Sequence, residues 1–331
     1  MTELLLRGLS KVRPEGWIIW GSDVPDALVW PGARKVPHVH SPRALSGQRD
    51  ITKVPPNDLA IYMHQIRPLR AGRSIQVIYD TIPLHFGEGG YRRWMKMRFN
   101  RAVARLSTKV VTFSEFSRGR IATDLKVSDE DIAVLPTPID HELAARVRRA
   151  RLDLAPEMVG FFVGRFAPHK NLERLVRGFR ETAFAADGGR LMIVGGTPEE
   201  VDALTAFVST AKVPNVEVKG AISQERLEAL YATARFVVMP SLEEGIGLPA
   251  WEAMSCGLAV CCSRGGSLPE ITKGATETFD PYSEVELGAA IDRAAAVGWG
   301  RQGASVMLKE APDVAAFALR FVELADEVRT Q

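Results

Sequence analysis

The chain has 331 residues, 46% hydrophobic and 25% charged, with a formal net charge of +2. That length exceeds one average core and fits two domains of ordinary size, and no apolar run approaches the roughly 18 residues of a membrane span, which excludes a membrane-spanning class. The small net charge hides an asymmetry: residues 1–150 hold 24 Lys and Arg against 15 Asp and Glu, a balance of +9, while 151–331 hold 18 against 25, a balance of −7. An anionic partner is therefore expected for the first half only.

The opening segment MTELLLRGLSKVR has no basic leader, long apolar stretch or small-residue cleavage site, so the expectation is a cytoplasmic protein. Strand candidates in the first half are WIIWG (17–21), LAIYM (59–63), IQVIYD (75–80) and KVVTFS (109–114). Between the last two lies YRRWMKMRFNRAVARLSTK, 91–109, with Arg92, Arg93, Lys96, Arg98, Arg101, Arg105 and Lys109, no acid, and Trp94, Met97 and Phe99 interleaved. Two readings of this helix stand open: a solvated face with a core stripe, or a face lying on an anionic membrane surface at the inner side of the membrane. Nucleic acid is not expected as a partner, because aromatic platforms at a known module's spacing are missing. The polar, proline-containing RRARLDLAPE sets a boundary near 150, and 313–331 is expected as a helix that packs back towards the first domain.

From about 158 short apolar strands alternate with amphipathic helices. The strands are VGFFV (159–163), RLMIVG (190–195), VEVKG (216–220), ARFVVMP (234–240) and LAVCC (258–262). The helices are NLERLVRGFRETAF, PEEVDALTAFVSTA and SQERLEALYATA. Apolar runs of strand length between helices imply parallel strands buried on both faces, hence an α/β architecture of two Rossmann-like, doubly wound domains, 1–150 and 151–312, facing a cleft. Cys256, Cys261 and Cys262, odd in number and without ligand spacing, are expected as buried reduced thiols.

In such sheets ligands bind beyond the carboxyl ends of the strands. The loop after VGFFV, GRFAPHKN, places Arg165 and Lys170 between a strand end and a helix start, a fork and a point charge suited to two phosphates. His169 reads as a loop residue. PSLEEGIGLPAWEAMSCG follows the strand 234–240; Gly245 and Gly247 permit a tight turn, Pro249 suits a first helical position, and Gly257 is a plausible C-cap. Glu244 and Glu252 flank that turn, and the amides at the helix start form a natural anion site. Carboxylates that accept from hydroxyls, beside a diphosphate site, describe a nucleotide sugar.

The runs GRFAPHKNLERLVRGF, LMIVGG, VKGAISQERLEALYATA, PSLEEGIGLPAWEAMSCGLAV and GGSLPEI resemble the C-terminal domain of family 4 retaining glycosyltransferases of the GT-B fold, closely over 160–272. The resemblance implies that Arg165 and Lys170 hold the donor diphosphate, Glu244 the donor sugar and Glu252 the ribose, with Gly195, Gly245 and the amides of Ile246, Gly247 and Leu248 completing the donor site. In the first half VIYDTIPLHF and VVTFSEFSRGRI resemble the family more loosely and nominate Asp80, Ser114 and His85 for the acceptor side, with Glu115 beside Ser114 and His64 as a further histidine. Tyr79 stands where members carry a histidine. TELLLRGLSK resembles the family's first helix already under way, so the expectation is either a truncated start or an absent first strand, with its glycine loop. The implied reaction is transfer of a hexosyl group, mannosyl or glucosyl, from a UDP- or GDP-linked sugar to a saccharide or lipid-linked acceptor in polysaccharide or glycolipid assembly. No cofactor or metal is expected, since no Asp-x-Asp cluster lies between strands. The alternatives are a nucleotide-sugar-binding protein with weak or lost catalysis, and an epimerase or phosphorylase of the same fold.

Overall fold

The computed structural model describes residues 2–12, 18–20, 34–36, 59–63, 73–86, 89–298 and 311–330. They fall into two units: Met1–Leu84, Glu88–Pro138 and Pro312–Gln331 in the first, and His85–Gly87 with Ile139–Ala311 in the second. Labels below number the described elements in chain order.

In the first unit α1 (Thr2–Val12) is followed by β1 (Ile18–Trp20) and β2 (Arg34–Val36), a parallel pair. A parallel four-stranded sheet is ordered β3 (Ala60–Tyr62), β4 (Ser74–Val77), β5 (Lys109–Thr112), β6 (Ile132–Val134). Its residues Ile75, Val77, Val110 and Val111 are buried, as expected where β-branched side chains fill both faces of a parallel sheet. Two helices cross over between strands, α2 (Gly90–Leu106) and α3 (Glu115–Leu125). Ile78, Leu84, Ala104, Val110, Ile121 and Leu125 close the core beneath them. Strands β2 (RKV) and β6 (IAV) escaped the sequence reading: each is only three residues long, and β2 holds a single apolar residue.

The second unit begins with α4 (His141–Asp153). The division therefore falls after Pro138 rather than near 150. RRARLDLAPE is mostly helix instead of linker, because Leu143, Ala144 and Val147 are buried and α4 packs on two helices of this unit. Arg146 forks onto Glu228 at 2.8 and 3.1 Å, and Arg151 Nη1 donates to the Ala232 carbonyl at 2.8 Å.

Six strands and seven helices follow: β7 (Val159–Val163), α5 (Leu172–Arg180), α6 (Ala183–Ala186), β8 (Arg190–Val194), α7 (Pro198–Ala211), β9 (Val216–Lys219), α8 (Gln224–Thr233), β10 (Phe236–Met239), α9 (Leu248–Cys256), β11 (Ala259–Ser263), α10 (Leu268–Thr272), β12 (Glu277–Phe279) and α11 (Glu284–Val297). The expected single helix over NLERLVRGFRETAF is broken at Glu181, where Thr182 caps α6 by accepting from the Ala185 amide. Strand β12, ETF, is too short and polar to have been anticipated. Phe162, Phe179, Phe236 and Phe279 lie fully buried in one core, each burial stabilising by roughly 1.5–3 kcal/mol.

The sheet is parallel throughout and ordered β12-β11-β10-β7-β8-β9. Numbered within the unit this is the order 6-5-4-1-2-3 of a doubly wound dinucleotide-binding sheet, and the winding reverses between β7 and β10. The chain closes with α12 (Val314–Thr330), which groups with the first unit, packs on α1, and sets Phe317 6.1 Å from Phe113.

Candidate functional site

Because β7 and β10 are neighbours on opposite sides of the reversal, their following loops emerge side by side at one sheet edge. Backbone hydrogen bonding ties them: the Leu242 amide donates to the His169 carbonyl at 2.7 Å. Asn171, held in the left-handed region at φ 59°, donates its side-chain amide to the Pro240 carbonyl at 3.0 Å and the Pro281 carbonyl at 2.8 Å. Lys170 and Glu244, 74 positions apart, therefore meet. Lys170 Nζ lies 2.6 Å from Glu244 Oε1, and the two side chains are only 16% and 8% exposed.

The same Oε1 accepts from the buried Ser241 hydroxyl at 2.6 Å. Ser241 is held in turn, its carbonyl accepting from Ser263 Oγ on β11 at 2.5 Å. One carboxylate oxygen thus carries two donors in a buried setting, which fixes the Glu244 rotamer. Lys170 keeps further N–H donors, since an ammonium has three. Arg165 is exposed and has no partner among the described residues. Burial, then the neighbouring Lys170 charge, lowers the His169 pKa to about 4, with Glu244 opposing and Arg165 adding to the shift. His169 is therefore neutral at physiological pH, and the positive charge of this loop is that of Arg165 and Lys170.

Helix α9 starts at the same edge. Gly247 stands at its N-cap with φ 72°, and a Cβ there would sit 2.7 Å from Leu268 Cδ2, so the position demands glycine. No side chain caps α9, and the amides of Ile246, Gly247 and Leu248 have no acceptor among the described residues. Uncapped amides and the positive end of the helix dipole converge there. Glu252 is half-buried, with Oε2 accepting from the Tyr231 hydroxyl at 3.0 Å. Burial, then the Glu252 charge, raises the Tyr231 pKa well above its ordinary value, so it acts as a fixed neutral donor. Gly195 follows β8 at φ 124°, where a Cβ would lie 1.9 Å from the Gly164 carbonyl oxygen; its bareness lets the loop after β8 lie against the one carrying Arg165.

The structure thus gathers Arg165, Lys170, Gly195, Glu244, Gly245, Ile246, Gly247, Leu248 and Glu252 at one edge of one unit. Ser241, Ser263 and Tyr231 were not anticipated: each acts through contacts that only strand order creates, and the sole trace in the sequence was that Tyr231 and Ser241 lie inside the quoted motifs. The remaining candidates lie elsewhere in the chain. Asp80 and Ser114 belong to the first unit. There Asp80 Oδ1 accepts from the Ile82 amide at 3.0 Å and Ser114 Oγ accepts from the Ser117 amide at 3.1 Å, capping α3. His85 is half-buried in a short segment that groups with the second unit. His64 lies outside the described residues. Burial pushes the thiols of Cys256 and Cys262 up to about 12 and about 11, and Cys261 well above the ordinary range. No described helix is long and apolar enough to cross a membrane.

Residues 157–296 match the family model described as glycosyl transferases group 1. A MMP alpha-(1->4)-mannosyltransferase of Mycolicibacterium hassiacum is 31% identical over 186 residues, 54% of this chain and 43% of that protein. The O-antigen chain mannosyltransferase B of Escherichia coli is 31% identical over 193 residues, 55% of this chain and 50% of that protein. The match thus spans half or less of the length of these relatives. Among solved structures, sucrose-phosphate synthase from Thermosynechococcus elongatus aligns over 99% of this chain and 92% of its own with a TM-score of 0.75 at 20% identity. HepE of Anabaena, in complex with UDP and glucose, aligns over 98% and 95% with a TM-score of 0.76 at 15% identity.

Proposed function

We propose that this chain, whose residues 157–296 match the glycosyl transferases group 1 model and whose fold is GT-B, moves a hexosyl group from a nucleoside diphosphate sugar to an acceptor hydroxyl with retention at the anomeric carbon. The observation that carries this reading is the convergence of Arg165, Lys170 and the uncapped start of α9 on one edge, with Glu244 fixed beside them. As the bond from the anomeric carbon to the diphosphate breaks, negative charge grows on the leaving group, and preorganised cations and amides stabilise it without reorganising. Glu244, whose Oε1 already accepts from Lys170 and Ser241, is a poor nucleophile and a well-oriented acceptor for a sugar hydroxyl. Glu252 takes the ribose hydroxyls. These cations and amides supply the charge stabilisation without a metal or cofactor, so turnover should survive a chelator.

Two relatives are named as mannosyltransferases, so mannose is the first hexose to test, from a GDP- or UDP-linked donor. The acceptor is a saccharide or lipid-linked sugar in polysaccharide or glycolipid assembly. Turnover of such a donor, with the product's anomeric configuration read by proton NMR, tests the reading. A retained configuration is expected; inversion contradicts it, and tight nucleotide binding without turnover favours a binding protein.

Tyr231→Phe checks the assignment of Glu252. Loss of a hydrogen bond to a charged group leaves Glu252 free to swing from the ribose, and an expected rise of about tenfold in donor KM with little change in kcat follows, because ribose contacts are made equally in ground and transition states. Unchanged KM removes Glu252 from the ribose role.

A further inference from the structure

Helix α2 is an outlier on the described surface. Tyr91, Trp94, Met95, Phe99 and Leu106 are 73%, 50%, 47%, 42% and 50% exposed, all on one helix. At 3.6 residues per turn they share one side, while Asn100, Val103 and Ala104 turn to the core and Met97 packs beside them. A helix on a soluble protein normally shows water its polar side. Here water meets the aromatic side, so the reading of a solvated face with a core stripe does not hold for Trp94 and Phe99; Met97 alone of the three interleaved residues packs inward.

Part of the basic charge shares that side: Arg92, Arg98 and Arg105 fall beside the exposed rings, whereas Arg93 and Lys96 fall on the half of the helix that holds Asn100 and Val103. Gly90–Leu106 carries six Lys and Arg and no acid. The Arg98 guanidinium lies 4.8 Å over the Trp94 ring, and Tyr91 stacks on Trp94 at 5.7 Å. Arg101 is drawn away, donating to the Asp124 carbonyl at 2.7 Å. Rings with a polar edge, set beside guanidinium groups, match the headgroup layer of an anionic bilayer, where aromatics sit at the boundary with the acyl chains and arginines on phosphates. A second copy would oppose like charges.

We propose that α2 docks this protein on an anionic lipid surface, with Trp94, Phe99 and Leu106 entering the boundary layer and Arg98 and Arg105 pairing with lipid phosphates. The inference stands on α2 alone and is read without any donor, so it succeeds or fails separately from the reaction proposed for the second unit.

Flotation of the full chain with phosphatidylcholine vesicles, with and without phosphatidylglycerol, tests it. Binding is expected only with the anionic lipid and should fall as salt is raised. Trp94→Ser with Phe99→Ser, and separately Arg98→Glu with Arg105→Glu, should each weaken binding by about tenfold or more, with unchanged melting temperature because the side chains are exposed. Trp94→Phe, which keeps the apolar ring, should still float but lose the vesicle-induced blue shift of tryptophan fluorescence. Failure of the wild-type chain to float with anionic vesicles at low salt overturns the proposal. So does binding insensitive to both double variants, or a blue shift that survives Trp94→Phe. Capture of RNA, or dimerisation, that depends on α2 while vesicles are ignored would assign the face to that partner instead.

Discussion

Lys170→Ala should lower turnover by about 100- to 1000-fold and also destabilise the fold by about 3 kcal/mol. The first effect follows from loss of a cation at the departing diphosphate. The second follows from burial: Glu244 is only 8% exposed on its side chain and would keep a carboxylate with no cation beside it. The two effects separate in a double variant. Adding Glu244→Gln removes the stranded charge, so Lys170→Ala with Glu244→Gln should be more stable than Lys170→Ala alone while remaining as inactive. Chemical denaturation of the single and double variants gives the comparison. If Lys170→Ala proves as stable as the wild type, the two side chains do not form the buried pair on which the site rests.

Gly195→Ala carries the next largest effect and touches no ligand. The new Cβ would meet the Gly164 carbonyl oxygen at 1.9 Å, backbone against backbone, at φ 124°. No rotamer relieves such a clash, so the loop after β7 must move. The expected cost is about 3 kcal/mol or more, which corresponds to a fall of roughly 6–12 °C in melting temperature for a unit of this size. Arg165 immediately follows Gly164, so donor affinity should fall as well. Gly220, at the end of β9, is the control: nothing lies within 4 Å of its added Cβ, and Gly220→Ala should be close to neutral. Differential scanning calorimetry of both variants decides, and equal melting temperatures would mean that the two loops do not abut as described.

Much of this arrangement was legible before the structure, and unevenly so. VGFFV and the core of ARFVVMP are apolar runs of strand length because both faces of a parallel sheet are buried, so β7 and β10 announce themselves. Pro249 and Gly257 mark the ends of α9 by the same local logic. What the sequence could not show is that β7 and β10 are neighbours, since strand order is a non-local property; the Lys170–Glu244 pair, Ser241 behind it and Tyr231 behind Glu252 all depend on it. The boundary near 150 failed for a related reason. Polar composition and a proline suggested a linker, but Arg146 and Arg151 reach partners more than 80 positions away, which holds α4 to the second unit. On α2 the residues were read and their direction was not: helical period says which side chains share a face, and only packing says which face meets water.

One edge of the second unit is expected to bind the diphosphate of a nucleotide sugar. Isothermal titration of the full chain with GDP and UDP, set against the matching nucleosides, tests it most directly. Saturable one-to-one binding of at least one diphosphate is predicted, with the nucleosides far weaker and Arg165→Ala lowering the diphosphate affinity selectively. Binding that ignores the phosphates, or affinity for neither diphosphate, would contradict it.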